Sequence, residues 1–266
     1  LVITIGIDPT LVHFGGFSIR WYGLMIAVAV GVGVYISLQE AKRKGVVEDD
    51  VYTAAFWAVL AGIVGARLFH VVDQLNYYLL NPTAIIAFQQ GGLAIYGAVV
   101  GGAVAVAGYA LVRRMSLGRL MDVAAPGLIL AQAIGRLGCI INGDAWGGPS
   151  YLPWAFIYTH RDAAIPPGLL NVPTHPVPAY EIIWDLIVFG ALWKLRPRVL
   201  PDGTLFLVYA VMYSFGRFFL SFLREEDYVF LGLRQAQLIA ALTVVGGGLL
   251  LAYLLRRRSA LQVKKA

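Results

Sequence analysis

The chain has 266 residues, is 59% hydrophobic and only 14% charged, and its mean hydropathy is +0.73. Soluble domains carry about 25% charged residues, so a water-soluble globular fold is excluded and most of the chain is expected to lie in lipid. The net charge of +6 does not point to nucleic acid, because the basic residues collect in short clusters between apolar runs, where they read as topology signals.

Residues 1–16 lack the basic stretch, apolar core and small-residue cleavage site of a secretory signal, so the first span itself is expected to direct insertion. A spanning helix takes about 20 apolar residues. Runs of that kind fall at about 18–39, 51–72, 91–112, 120–141, 179–195, 204–222 and 235–255, which predicts an all-α integral membrane protein of seven transmembrane helices, one polytopic domain over 1–266. Lys42, Arg43 and Lys44 follow the first run, and Arg113, Arg114 and Arg119 lie between the third and fourth. Lys194, Arg196 and Arg198 lie between the fifth and sixth, and Arg256, Arg257, Arg258, Lys264 and Lys265 form the tail. These clusters share one side of a seven-span arrangement, so the positive-inside rule places the N-terminus outside and the C-terminus in the cytoplasm. The single cysteine, Cys139, closes no internal disulfide and says nothing of the redox compartment.

The outward loops are 73–90 and 142–178. The second, rich in Pro, Gly, Tyr and Trp, is expected to form a small extracytoplasmic cap. Trp146, Tyr151, Trp154 and Tyr158 suit a membrane–water interface, where a ring is half buried and its polar tip wet; a plain aromatic belt is the simpler meaning of the same pattern.

Three arginines fall inside the apolar runs: Arg67, Arg136 and Arg217. An intramembrane arginine costs at least about 2.5 kcal/mol, so each needs a partner or a wet cavity. In the expected topology all three sit in the outer half of their helices, at a depth shared by Arg20. A guanidinium is charged at any relevant pH and offers a planar fork of donors matched to phosphate oxygens, so the group points to an anionic lipid headgroup. Ordinary pairing with Glu181, Asp185 or Asp144 is the competing explanation. Asp122 reads instead as a helix-start or loop contact. Gly97 and Gly101, and the pair Gly62 and Gly65, have the small-residue spacing that lets helices approach closely in lipid. The segment from Gly135 to Gly147 differs from these, because it carries a helix through Arg136 into an Asn142-Gly-Asp144 turn.

With these residues in view, the chain resembles the bacterial prolipoprotein diacylglyceryl transferases along nearly its whole length. The matching segments are Arg20-Trp-Tyr22-Gly-Leu-Met25, Gly65-Ala-Arg67-Leu68 and Gly91-Gly-Leu-Ala-Ile-Tyr96-Gly97. They continue with the Gly-Arg-Leu-Gly-x-x-x-Asn-Gly-x-x-x-Gly signature over 135–147, His175-Pro-Val-Pro-Ala-Tyr-Glu181, and Tyr213-Ser-Phe-Gly-Arg217 with Arg224 beyond. The resemblance implies transfer of the diacylglyceryl group of phosphatidylglycerol to the lipobox cysteine of a preprolipoprotein, with release of glycerol phosphate, at the outer leaflet of a bacterial inner membrane. It implies no cofactor, no metal and no nucleic acid.

By the same resemblance Arg136 and then Arg217 are the first candidates for phosphatidylglycerol and for catalysis. Arg67, Arg20, Tyr22 and Asn142 are the further lipid-binding candidates, and Asp144, Glu181, Tyr213 and Arg224 supporting ones. The nucleophile is the substrate's thiol, which reacts as thiolate and needs a base or a positive field. Tyr96 stands where many family members have histidine, and tyrosine, with an ordinary pKa of about 10, is a weak base. His70, one turn from Arg67, is the alternative base. Cys139 replaces a usual Asn and is read as an apolar packing group; Asp144 replaces a usual Glu and keeps its charge. A lipid or anion transporter is disfavoured by charges crowded to one side. A retinal protein is disfavoured because no lysine lies at mid-span.

Overall fold

The structure, a computed structural model, describes residues 2–15, 17–87, 91–225, 228–230 and 232–263; the tail lysines Lys264 and Lys265 lie outside the described residues. The chain opens with strands β1 (Ile3–Ile5), β2 (Thr10–Phe14) and β3 (Phe17–Arg20). Helices α1 (Trp21–Lys44), α2 (Glu48–Asp73) and the short α3 (Leu75–Leu80) follow, then a 3-10 turn at Pro82–Ile86 and helices α4 (Ile95–Val112) and α5 (Leu117–Asn142). Strand β4 (Phe156–Tyr158) precedes α6 (Val177–Leu195) and α7 (Thr204–Leu220). A 3-10 turn (Ser221–Leu223), strands β5 (Tyr228–Phe230) and β6 (Leu233–Arg234) and helix α8 (Gln235–Val263) complete it.

Six of the described helices are long and apolar enough to cross a membrane: α1, α2, α4, α5, α7 with its following turn (Thr204–Leu223), and α8 over Gln235–Arg257. Helix α6 coincides with the fifth expected span, but its 19 residues include Glu181, Asp185 and Lys194, and three charges dilute the apolar character of so short a window. Helix α1 runs further than expected, so Lys42, Arg43 and Lys44 form its last turn rather than a loop, where cations complement the helix dipole.

The described residues group into two compact units, Leu1–Ser37 with Ala124–Ala266, and Leu38–Val123. In the first unit Ala125 and Ile129 of α5, Val188 and Leu192 of α6 and Leu205 of α7 form a buried core, with Trp184, Tyr209 and Tyr213 packed on it. Helices α1 and α5 meet at glycines: a Cβ at Gly127 would strike the Gly33 carbonyl, and one at Gly138 would press on Tyr22 and Met25.

The expected cap has its own core, and the N-terminus joins it. Strand β1 pairs in parallel with β4, Ile3 opposite Phe156 and Ile5 opposite Tyr158. Ile5, Phe156, Tyr158 and Ile165 are buried together, with Trp146 and Ile140 against them. Two of the four aromatics expected at an interface are therefore inside the cap. Tyr158 is buried, and desolvation, with Asp144 and Cys139 adding to it, pushes its hydroxyl above the usual tyrosine range. Tyr151 and Trp154 are exposed, and Trp154 donates its indole N–H to the Tyr180 hydroxyl at 2.7 Å.

In the second unit α2 and α4 pack backbone to backbone. A Cβ at Gly65 would strike the Gly97 carbonyl, and one at Gly101 the Ala61 carbonyl, which is the close approach that the glycine spacing predicts. Elsewhere in this unit Ala41, Val46, Val51 and Val123 form a small core. Asp122 is fully buried and pairs with Lys44 at 2.7 Å, while Asp50 accepts from the Tyr109 hydroxyl at 2.6 Å and from Arg113 Nε at 3.1 Å.

Candidate active site

In the first unit three separate elements deliver arginines to one carboxylate. Helix α6 supplies Glu181, helix α5 supplies Arg136, α7 supplies Arg217, and Arg224 follows the turn after α7. Arg136 Nε lies 2.8 Å from Glu181 Oε2. Arg217 and Arg224 each donate an Nη1–H to Glu181 Oε1, at 2.6 and 3.3 Å. Three guanidiniums thus share this one buried carboxylate. The Glu181 side chain is only 5% exposed, against 22% for Arg136, 17% for Arg217 and 14% for Arg224. The anion is thus more deeply buried than the cations around it. Asp185, one turn further along α6, is buried, and its Oδ2 has no hydrogen-bond partner among the described residues. Of the three acids expected as partners, Glu181 is the one that pairs with Arg136, Arg217 and Arg224.

The neighbouring glycines explain how these side chains meet. A Cβ at Gly216, just before Arg217, would strike the Trp184 indole, whose N–H donates to the Met212 carbonyl at 2.9 Å; the missing side chain lets α7 close on α6 and brings Arg217 to Glu181. Arg224 is held from the other side of the signature loop. Gly147 bridges antiparallel to Arg224, the Gly148 N–H donates to the Leu223 carbonyl at 3.1 Å, and a Cβ at Gly147 would come within 2.7 Å of that carbonyl. The last glycine of the signature is therefore a clearance for the segment that carries Arg224. Arg234, buried beneath, donates to the Ser221 carbonyl at 2.5 Å, and the Ser221 hydroxyl donates to the Arg217 carbonyl at 2.7 Å.

The remaining expected residues of this unit form a second polar chain. Arg20, at the end of β3, donates to Asn142 Oδ1 at 3.4 Å, and the Asn142 amide donates to Asp144 Oδ1 at 3.1 Å. Gly143, between them, has φ +80°, a left-handed turn that glycine adopts without penalty. Tyr22 packs on Gly138, and Tyr213 stacks on Tyr209 at 6.1 Å. Cys139 is buried with its sulfur 3.9 Å from Arg136 Nη1, the setting of a packing group.

Arg67, His70 and Tyr96 belong to the second unit. Arg67, expected as supporting charge for the lipid, is instead buried, at 4% exposure, and turned toward backbone. Its Nε donates to the Ile85 carbonyl at 2.9 Å, Nη1 to those of Gly91 and Gly92 at 2.6 and 2.9 Å, and Nη2 to those of Ala84 and Ala87. The guanidinium also lies 5.3 Å from the centre of the Tyr78 ring. His70 meets that ring edge to face at 5.9 Å, and Tyr96 lies 6.4 Å from the Phe69 ring.

Two arginines carry more than sequence reasoning assigned them. Arg224 is a full member of the Glu181 cluster, and Arg234, unassigned before, supports it; the one available signal is that each flanks a span, as Arg20 does. Asp8, His160 and Asp162 bring possible metal donors within 4.8 Å of one another. The Asp162 N–H already donates to His160 Nδ1 at 3.3 Å and Arg161 lies 3.8 Å from the Asp162 carboxylate, so this is a self-satisfied surface cluster.

The family model described as prolipoprotein diacylglyceryl transferase matches residues 9–253. A Nostoc protein named phosphatidylglycerol–prolipoprotein diacylglyceryl transferase is 41% identical over 259 residues, covering 94% of this chain and 90% of its own. Proteins of the same name from Dehalococcoides mccartyi (38% identical, 96% of each chain) and Clostridioides difficile (37%, 91% of this chain and 93% of its own) are similarly close. Multiple apolar helices and this match make the chain a multi-pass membrane protein. The chain belongs to the prolipoprotein diacylglyceryl transferase family, a family of transferases.

Proposed function

We propose that this protein transfers the diacylglyceryl group of phosphatidylglycerol to the lipobox cysteine of preprolipoproteins, the first step of bacterial lipoprotein maturation. The substrate sulfur, as thiolate, attacks the glyceryl carbon that bears the phosphate. The C–S bond forms as the C–O bond breaks, and the electron pair leaves with glycerol phosphate. The leaving phosphate gains negative charge along this path, so fixed guanidinium donors stabilise the transition state more than the bound lipid. The observation that supports this reading best is the convergence of Arg136, Arg217 and Arg224 on buried Glu181, which orients the three guanidiniums before any lipid arrives.

In this reading Arg136 and Arg217 hold the phosphate, Arg224 adds charge, and Arg20, Tyr22 and Asn142 shape the headgroup side. Tyr96 and His70 serve the thiol. The protein spans the bacterial inner membrane as one domain with seven helices, α6 included, its N-terminus and the 142–178 cap outside and its C-terminus in the cytoplasm, and the site faces the outer leaflet. Complementation of a transferase-deletion strain tests the function. Mass spectrometry of a reporter lipoprotein should find the diacylglyceryl adduct; its absence, with the protein present in the membrane, contradicts the proposal.

A further inference from the structure

We infer that Arg67 is a positioning residue that clamps the segment leading into α4, and that it does not hold the lipid phosphate. Five backbone carbonyls, those of Ala84, Ile85, Ala87, Gly91 and Gly92, converge on its guanidinium. A backbone that turns its carbonyls inward needs a donor for each, and arginine alone among side chains offers five N–H donors in one rigid plane. The segment is shaped for this cation. Gly91 and Gly92 take φ +84° and +73°, conformations that cost other residues dearly. A Cβ at Gly92 would come within 2.6 Å of Arg67 Nη1 and 2.8 Å of His70 Nε2. The Ala94 N–H, two residues on, donates to the Ala66 carbonyl at 3.1 Å, so the chain is tied to α2 at two adjacent residues, Ala66 and Arg67, before α4 begins at Ile95.

Tyr96 is the second residue of α4. Its position, and that of His70 beneath Gly92, are therefore set by what Arg67 holds. The inference rests on the proposal that Tyr96 and His70 serve the thiol, and it gives the Gly91-Gly92 pair of the third matched segment a physical purpose.

Kinetics of purified Arg67→Lys and Gly92→Ala with phosphatidylglycerol and a lipobox peptide test it. Lysine keeps the charge but loses the plane of donors; the alanine keeps the arginine but forces it and His70 aside. Both variants should lose turnover, by about 100-fold for a displacement on the order of 1 Å, with the KM for phosphatidylglycerol unchanged. A raised lipid KM with turnover kept in Arg67→Lys identifies a phosphate ligand and overturns the inference, as does full activity in both variants. Should both prove inactive, hydrogen exchange decides: the amides of 91–98 should exchange faster while those of α6 and α7 keep their protection, and unchanged protection at 91–98 also overturns it. Arg136→Lys separates the two readings, because failure of the phosphate-site proposal leaves its lipid KM unchanged whatever Arg67 does.

Discussion

Glu181→Gln removes the charge on which Arg136, Arg217 and Arg224 converge while keeping the shape of the side chain. At N–O distances of 2.6 to 3.3 Å the charge centres are about 4 Å apart, and each attraction is on the order of 4 kcal/mol at an effective dielectric of about 20. Most of that gross figure is offset by the desolvation of the groups, and breaking a buried pair by removing one partner costs a net ~3–5 kcal/mol. At roughly 2–4 °C per kcal/mol for a chain of this size, the variant should melt about 6–20 °C below the parent in detergent, followed by tryptophan fluorescence. The three guanidiniums then repel one another, so added phosphatidylglycerol should raise the melting temperature more for the variant than for the parent, because the lipid phosphate replaces the lost anion. Turnover should fall at least about tenfold as the donors lose their fixed geometry. A variant that melts within about 2 °C of the parent and turns over normally would refute the claim that Glu181 organises the cluster.

Other substitutions probe the same framework. Cys139→Ala should keep transferase activity and cost about 1 kcal/mol of stability, read as a small drop in melting temperature with an intact reaction rate; loss of turnover would assign the thiol a chemical role. Gly147→Ala places a methyl against the Leu223 carbonyl and His175 and should lower turnover by displacing Arg224, which the lipid KM and kcat together report. Gly65→Leu drives a side chain into the Gly97 carbonyl and should destabilise the second unit by at least ~1–3 kcal/mol, measured as faster hydrogen exchange in α2 and α4.

The long apolar runs were legible because hydropathy over a membrane-length window depends on composition and hardly on context. Helix α6 blurs for the same reason: Glu181, Asp185 and Lys194 make it less apolar, and the acid at the centre of the cluster is one of the residues responsible. The candidates Arg136 and Arg217 stood out as charges in apolar surroundings. Their convergence on Glu181 did not, since residues 136, 181, 217 and 224 lie on different elements and a shared carboxylate leaves no periodic trace. Arg67 shows a different limit. Its partners are backbone carbonyls, which every residue possesses, so sequence could mark the arginine as costly but not name what satisfies it. The pairing of β1 with β4 joins residues about 150 positions apart and was hidden for the same reason as the Glu181 cluster.

The role proposed for Arg136 and its partners is to stabilise the phosphate that leaves phosphatidylglycerol. The most direct measurement is thioether formation on a lipobox peptide in proteoliposomes of defined phosphatidylglycerol content, comparing the parent with Arg136→Ala at matched folding. Arg136→Ala should lose at least about 100-fold, the scale of removing a transition-state donor; full activity in that variant would refute the proposed role.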